Sequence, residues 1–132
     1  MIAVDTNVLV RYLVRDEEEM SESARTLLEG LSAVEPGFIC REVAIELVWV
    51  LERSYRLART DIADVLVQLT TTDSLVIEAA EDVLSVTHRY QQGGPDFADL
   101  MILAAARRVG ASHLQTFDRR LSQEDGAVLV GA

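Results

Sequence analysis

Five short apolar segments, separated by stretches long enough to form helices, constrain the fold of this chain more than any other feature. Parallel strands need crossover connections of a dozen or more residues, usually helices, whereas antiparallel strands can be joined by tight turns. Strands that alternate with helices therefore predict a three-layer α/β fold with a parallel sheet, in a single domain over residues 1–132. The predicted strands are Ile2–Val4, Gly37–Ile39, Leu75–Ile77, His113–Gln115 and Val128–Val130.

Helical periodicity fills the segments between the strands. Asp16 and Glu19 have the spacing of a capping box. Trp49 lies in the most apolar of these segments, and we expect it in the core. The predicted helices run from Asp16 toward Leu31, over Arg41–Tyr55, from Thr60 onward, over Glu81–Tyr90, and from Asp96 through Arg108 to a stop at Gly110.

The charged residues exclude several kinds of chemistry. All 12 basic residues are arginines, and without lysine the chain has no P-loop lysine and no Schiff-base amine. The motifs of serine hydrolases, zinc proteases and dinucleotide enzymes are also absent. The 22 Asp and Glu residues give a net charge of −10, which argues against a simple basic nucleic-acid binder and favours a cationic partner or bound metal ions.

The cellular location is predicted from the cysteine content and the apolar runs. A single cysteine, Cys40, cannot form an intrachain disulfide, and a reducing cytoplasm suits it. The first four residues lead straight into Asp5 and do not resemble a signal peptide. The longest apolar run, Val43–Leu51, is interrupted by Glu46 and is too short to span a bilayer. We therefore expect a cytoplasmic protein without membrane association.

Four acidic residues are predicted at the carboxyl ends of the strands, where α/β folds place their sites. Asp5 follows the first strand, and Asp118 comes two residues after Thr116 at the end of the fourth. Asp99 lies in the first turn of a helix that must begin at the same edge if it leads into another parallel strand. Glu46 lies one to two turns into the helix after the second strand, and helical side chains point toward the N-terminus of their helix.

Four carboxylates at one edge would require a cation. Two carboxylates about 5 Å apart repel by roughly 3 kcal/mol at an effective dielectric constant near 20. Oxygen ligands without His or Cys favour Mg²⁺ or Mn²⁺ over Zn²⁺. Mg²⁺ held by carboxylates keeps several waters and meets phosphate oxygens, so the acids predict hydrolysis of a phosphodiester or phosphomonoester by an activated water.

Each acid also has a structural interpretation. The Asp5–Asn7 tripeptide could cap the helix that follows it. Asp96 and Asp99 could be an N-cap and its partner, and Asp118 could stabilise a turn. Glu46 is flanked by apolar residues and could form an ion pair with an arginine. These separate interpretations do not predict that the acids converge on one sheet edge.

Two further acids are alternates for the metal site. Glu42 lies one turn before Glu46 on the same face of the predicted helix. Asp96 lies three residues before Asp99. Spacing does not decide which member of each pair would bind the ion.

Four segments together resemble the PIN-domain family, and in particular the VapC-type toxins of bacterial toxin–antitoxin pairs: Asp5–Leu13, Glu46–Leu51, Asp96–Asp99 and Thr116–Arg119. The resemblance implies a twisted parallel sheet of about five strands with helices on both faces. It also implies a Mg²⁺- or Mn²⁺-dependent endoribonuclease. The acidic site would consist of Asp5, Glu46, Asp99 and Asp118, with Thr6, Asn7 and Thr116 as contacts to these acids or to metal-bound water. One departure from relatives is Leu100, where alanine is common.

The same resemblance implies an RNA substrate, an antitoxin partner and a homodimer. The antitoxins of this family bring basic side chains to the acids, and a chain with net charge −10 suits such a partner. RNA is repelled by that charge, so we expect arginines near the site, namely Arg11, Arg119 and Arg120, to contact phosphates. The helices around Trp49 and Leu66 are expected to form a dimer interface.

Two other functions fit the same acids. The carboxylates alone do not distinguish an RNase from a DNA nuclease or a metal-dependent phosphatase. A catalytically silent module that binds a basic peptide in an acidic groove is the third interpretation, and it predicts no metal dependence.

Overall fold

Every strand pair in the structure is parallel, as the alternation of strands and helices predicts. The computed structural model describes residues 1–132. One sheet has the order β1 (Ile2–Ala3), β2 (Gly37–Ile39) and β3 (Leu75–Ile77), and a second sheet pairs β4 (Leu114–Thr116) with β5 (Ala127–Leu129). The predicted α/β fold class is confirmed. The five strands belong to two sheets and not to one continuous sheet, because β1 and β4 are not hydrogen-bonded to each other.

The last two strands are displaced by one residue from their predicted positions. β4 begins at Leu114 and β5 begins at Ala127, and these two residues are partners in the register. Both belong to a small apolar cluster with Leu103 and Leu121. Packing in this cluster therefore fixes the pairing, which the local apolar pattern alone does not specify.

Six α-helices connect and cover the strands. None of them combines the length and the apolar character that crossing a membrane would require. The helices are α1 (Thr6–Leu13), α2 (Glu18–Glu29), α3 (Arg41–Arg53), α4 (Arg59–Thr70), α5 (Ala80–Tyr90) and α6 (Phe97–Arg108), with a short 3-10 helix at Leu121–Gln123.

The predicted capping residue of α2 is wrong by one position. Glu17, not Asp16, caps this helix, because its side chain accepts a hydrogen bond from the Met20 amide at 2.7 Å. The Asp16 carboxylate instead accepts hydrogen bonds from the Arg11 guanidinium and the Tyr55 hydroxyl, both at 2.7 Å. A contact distant in sequence thus removes the predicted capping residue from its role.

The face of α3 that packs into the core differs from the predicted one. Glu46 and Trp49 point to the exposed side, and 54% of Trp49 is accessible to solvent, so the expectation of a core tryptophan is wrong. Leu66 on α4 is buried at 2% exposure and cannot contribute to a surface patch. Helix α3 is apolar on most of its circumference, so its sequence does not identify the buried face. That face consists of Ala44, Leu47, Val48 and Leu51.

One main cluster of 16 buried residues joins the three-stranded sheet to five of the six helices. α6 contributes to this cluster and also to the small cluster beside β4 and β5. This helix therefore links the two sheets, and it begins at the acidic residues described below. That residues 1–132 form one domain stays a prediction.

Tyr90, at the end of α5, makes the stability of the core depend on pH. Its side chain is fully buried, and its ring packs edge-on against Phe97 at a centroid distance of 5.7 Å. The hydroxyl donates a hydrogen bond to Glu52 Oε1. Burial, and after it the Glu52 carboxylate, raise the pKa of Tyr90 well above its ordinary value.

We expect the substitution Tyr90→Phe to weaken the dependence of stability on alkaline pH. Because the pKa of Tyr90 is higher in the folded than in the unfolded state, its contribution is complete below about pH 10 and declines above it, where the unfolded chain ionises first. The free energy of unfolding of Tyr90→Phe should therefore fall less steeply above pH 10. At neutral pH the lost hydrogen bond should cost about 1 kcal/mol.

Urea unfolding, followed by circular dichroism at a series of pH values, measures both effects. Tyr12→Phe, which removes a partly exposed tyrosine of α1, is the matched control. Equal alkaline slopes for wild type and Tyr90→Phe would contradict this account of Tyr90.

Candidate active site

The first two predicted acids line the same cavity. Asp5 precedes α1, and its Oδ1 accepts a hydrogen bond from the Thr6 amide at 2.7 Å. Glu46 lies on the exposed side of α3. Both line a cavity of about 300 Å³. The capping interpretation of Asp5 thus describes the structure, but it uses only one carboxylate oxygen, and Oδ2 remains available to a ligand.

Glu46 also borders a second cavity, which it shares with Asp96. This cavity has a volume of about 280 Å³, and the alternate acid Glu42 lines it as well. Glu46 forms no ion pair. The guanidinium of Arg53, one possible partner, lies instead over the Trp49 ring at 5.7 Å. Glu46 therefore connects the Asp5 side of the site with the N-terminus of α6.

Three acidic side chains lie near one another at the N-terminus of α6: Asp96, Asp99 and Asp118. Asp96 caps this helix, and its Oδ1 accepts a hydrogen bond from the Asp99 amide at 2.8 Å. Burial raises the pKa of Asp99, and the negative charges of Asp96 and Asp118 raise it further. The carboxyl group of Asp99 is thus close enough to two others to be destabilised when it is ionised.

Asp118 lies in a hydrogen-bonded turn after β4. Its amide donates to Thr116 Oγ1 at 2.9 Å, and its Oδ1 accepts from the Leu121 amide at 3.0 Å. The turn interpretation of Asp118 therefore describes the structure, and the hydroxyl of Thr116 helps to hold this acid in place. Oδ2 of Asp118 makes no hydrogen bond within the chain.

Thr6 and Asn7, the predicted neighbours of the metal site, differ in their surroundings. Thr6 is buried at 4% exposure, and its Oγ1 has no hydrogen-bond partner. Asn7 is exposed and lines the cavity that Asp5 and Glu46 share. An unpaired buried hydroxyl next to Asp5 leaves a polar group free beside the cavity.

The three predicted substrate-binding arginines are not equally free. Arg11 Nη1 is paired with Asp16 Oδ1 at 2.7 Å, and the Tyr55 hydroxyl and Arg11 together lower the pKa of Asp16. Arg120 donates to the Gly94 carbonyl at 3.1 Å. The exposed guanidinium of Arg119 forms no ion pair and no hydrogen bond within the chain.

Arginine side chains also hold the loop that leads to Asp96, a feature that the sequence reasoning missed. Arg59 lies over the Tyr90 ring at 4.5 Å and donates three hydrogen bonds of 3.0 Å to backbone oxygens. Arg89 donates one at 2.6 Å and pairs with Glu124. The carbonyl groups bound by these two residues belong to Tyr90, Gly93, Gly94 and Pro95.

The sequence carries one signal for this arrangement, the run Gly93-Gly94-Pro95. Gly94 has φ +91°, and a Cβ at this position would lie 2.6 Å from Nη2 of Arg89. The positive φ favours glycine at this position, and any side chain here would displace the guanidinium of Arg89. Which arginines approach cannot be inferred from local pattern.

The site provides the oxygen ligands of a hard cation but not a closed set of them. No three His, Cys, Asp or Glu side chains lie close enough together to form a ready metal site. The carboxylates instead follow one another along the edge, from Asp5 through Glu46 and Asp96 to Asp99 and Asp118. Oxygen-only chemistry and the unrelieved repulsion at Asp99 both fit a divalent ion such as Mg²⁺ or Mn²⁺.

Fold and site together define an α/β protein with carboxylates at the carboxyl ends of parallel strands. A family model described as PIN domain matches residues 2–126. The chain therefore belongs to the PIN-domain family, and the resemblance based on the four sequence segments is confirmed.

One relative and one solved structure match this chain over nearly its whole length. A VapC ribonuclease of Aquifex aeolicus (strain VF5) is 29% identical over 124 residues, which are 93% of this chain and 91% of the relative. The crystal structure of Mycobacterium tuberculosis VapC20, described as a Sarcin-Ricin loop cleaving toxin, is 18% identical with a TM-score of 0.47, covering 93% of this chain and 94% of that one.

We expect Asp99→Asn to raise the melting temperature of the protein in EDTA. The substitution removes the charge that Asp96 and Asp118 oppose, and it leaves the backbone amide that Asp96 accepts from. Asp64→Asn, the same change at an exposed residue of α4 that lines neither cavity, is the control. A melting temperature for Asp99→Asn at or below that of the control would argue against carboxylate repulsion.

Proposed function

We propose that this protein is a metal-dependent endoribonuclease, the toxin of a toxin–antitoxin pair, and that it hydrolyses RNA phosphodiester bonds. The observation that supports this most is the row of carboxylates at one edge: Asp5 and Glu46 share a cavity, and Asp99 has a pKa raised by burial and by the charges of Asp96 and Asp118. Carboxylates placed in this way favour a bound divalent cation over the empty site. The similarity to a VapC ribonuclease supports RNA as the substrate class.

The acids of the site would have two roles, metal binding and orientation of the attacking water. Asp5, Asp99 and Asp118 would hold Mg²⁺ or Mn²⁺, with Asp96 as an alternate. The ion, when bound, supplies a water of lowered pKa and stabilises negative charge on the phosphate oxygens. Glu46 would orient the attacking water, with Glu42 as its alternate.

Neighbouring polar groups would support these acids. Thr6 offers its unpaired hydroxyl, and Asn7 offers its side-chain amide at the cavity. The hydroxyl of Thr116 accepts a hydrogen bond from the Asp118 amide and so holds that acid in place. The acids need no nucleophilic side chain near them, because the attacking oxygen comes from water.

Substrate and partner would meet the same acidic edge with opposite charge. The chain has a net charge of −10 and repels RNA as a whole, so RNA binding would depend on the cation and on the few free arginines near the site. An antitoxin segment that carries basic side chains would be attracted by the acids and would exclude RNA. The lone Cys40, which is free, suits a cytoplasmic location.

We also propose a homodimer whose interface includes Trp49. The expected contribution of Leu66 is excluded by its burial. Trp49 is exposed beside Ala98 in the second cavity, and Ile102, one turn further along α6, is 51% exposed. Exposed apolar side chains on two adjacent helices favour a second copy as the partner of this face.

The substitution Asp5→Asn tests the proposed activity. Asparagine caps helices as well as aspartate does, so the fold should be kept while the charge is lost. We expect cleavage of single-stranded or loop RNA to fall by at least about a hundredfold. Wild type should melt at a higher temperature in millimolar Mg²⁺ or Mn²⁺ than in EDTA, and the shift should shrink in the variant.

Asp64→Asn serves again as the control for a change of net charge. RNA, DNA and a phosphomonoester should be compared in Mn²⁺, because preferential cleavage of either of the latter would make the protein a DNA nuclease or a phosphatase. Wild-type activity in Asp5→Asn would contradict the site. A melting temperature that does not respond to metal would favour the silent binding module.

The substitution Trp49→Ala tests the dimer. Removing an indole from the interface should shift the protein toward monomer, as measured by sedimentation velocity over a range of protein concentrations. Val34→Ala, at another highly exposed apolar residue, is the control. A wild type that sediments as a monomer at every concentration would rule the dimer out.

A further inference from the structure

Phe117 is exposed directly beside the acidic site. Its side chain is 80% accessible to solvent, although phenylalanine is among the more buried residue types. It lies between Thr116, the last residue of β4, and Asp118. Asp118 in turn is close enough to raise the pKa of Asp99. An exposed apolar residue needs no explanation by itself, but this one occupies the edge on which the carboxylates lie.

The backbone on both sides of Phe117 is fixed by hydrogen bonds. The carbonyl of Thr116 accepts from the Val130 amide at 2.8 Å, and its hydroxyl accepts from the Asp118 amide at 2.9 Å. The carbonyl of Asp118 accepts from the Ser122 amide at 3.0 Å. The backbone that carries the exposed ring is therefore fixed, so a ligand that stacks on the ring would not have to order a flexible loop.

An arginine, Arg119, comes two residues after Phe117 and places a positive charge on the same turn. Arg119 is exposed, and its guanidinium has no partner in the chain, whereas four other arginines form ion pairs with acids. The carbonyl of Arg119 accepts from Ser122 Oγ at 2.7 Å, which fixes its backbone. A free arginine beside acids in a chain of net charge −10 is available to an anion.

A flat exposed ring and a free guanidinium on one ordered turn are the elements with which proteins bind single-stranded nucleic acid. Aromatic rings stack on bases, and arginines contact the phosphates between them. We propose that Phe117 stacks on a base of a single-stranded RNA and that Arg119 binds a neighbouring phosphate, which positions the strand beside Asp99 and Asp118. The inference rests on the proposed function, since it names how that same site takes its substrate.

Binding can be measured separately from cleavage. The probe is a fluorescein-labelled single-stranded oligoadenylate of about ten nucleotides, titrated by anisotropy in Mg²⁺. The protein carries Glu46→Gln, which keeps the proposed metal ligands and removes the carboxylate that would orient the attacking water, so the probe is not cut. The comparison ligand is a ribose–phosphate oligomer of equal length without bases. It has the same charge but offers nothing to stack.

Phe117→Leu keeps an apolar side chain and removes the aromatic face. We expect it to weaken oligoadenylate binding by roughly 5- to 100-fold and to leave binding of the abasic oligomer unchanged. Phe117→Trp should retain the preference for the ligand with bases. Arg119→Gln should weaken both ligands alike and lower the salt dependence by about 0.7 in log–log slope.

Val34→Ala, a change at a residue that is 87% exposed before β2, is the control for loss of exposed apolar surface. Equal affinities of wild-type Phe117 and Phe117→Leu for oligoadenylate would overturn the inference, and so would a failure of the protein to bind oligoadenylate at all. A change in sedimentation caused by Phe117→Leu would assign the ring to a protein interface instead.

The two proposals fail in different ways. Base-dependent binding through Phe117, without cleavage by wild type in Mg²⁺ or Mn²⁺, would end the proposed nuclease and keep the stacking site. RNA cleavage that Phe117→Leu leaves unchanged would keep the proposed nuclease and end the stacking site.

Discussion

Repulsion between carboxylates at the carboxyl ends of the strands is the interaction on which the rest of this structure depends. Asp99 lies near Asp96 and Asp118 and is partly buried, and each of these conditions opposes its ionisation. Groups that repel each other stay together only if the surrounding backbone holds them. Helix caps, a hydrogen-bonded turn and buried helix faces hold them here. The repulsion lowers the free energy of unfolding, and these contacts offset it.

The same polar contacts serve fold and site at once. Asp5, Asp96 and Asp118 each use one carboxylate oxygen to accept a backbone hydrogen bond. The capping and ligand interpretations are therefore compatible, because a carboxylate has more acceptor positions than a cap requires. The caps fix the direction of the side chains before any ligand arrives, which lowers the entropic cost of binding one.

Local sequence pattern predicted the elements of this fold better than their long-range relations. Strands and helices follow from apolar periodicity, and the parallel pairing follows from the length of the connections. The division into two sheets does not, because it depends on which strand edges meet. Trp49 was misplaced because α3 is apolar on most of its circumference. Among site residues, the chain positions of the acids follow from the strand ends. The pairing of Arg11 with Asp16 does not, and neither does the contact of Arg59 with the loop before Asp96, because no local pattern identifies these partners.

The choice of arginine for that loop has a consequence for how the protein responds to acidity. A guanidinium keeps its charge throughout the pH range in which proteins stay folded, and its planar fork can bind several carbonyls at once, as Arg59 does. The hydrogen bonds from Arg59 to the carbonyls before Asp96 therefore stay in place at every pH at which the protein is folded. The loop before Asp96 thus has a support that needs no carboxylate, unlike the helix caps and the turn beside it.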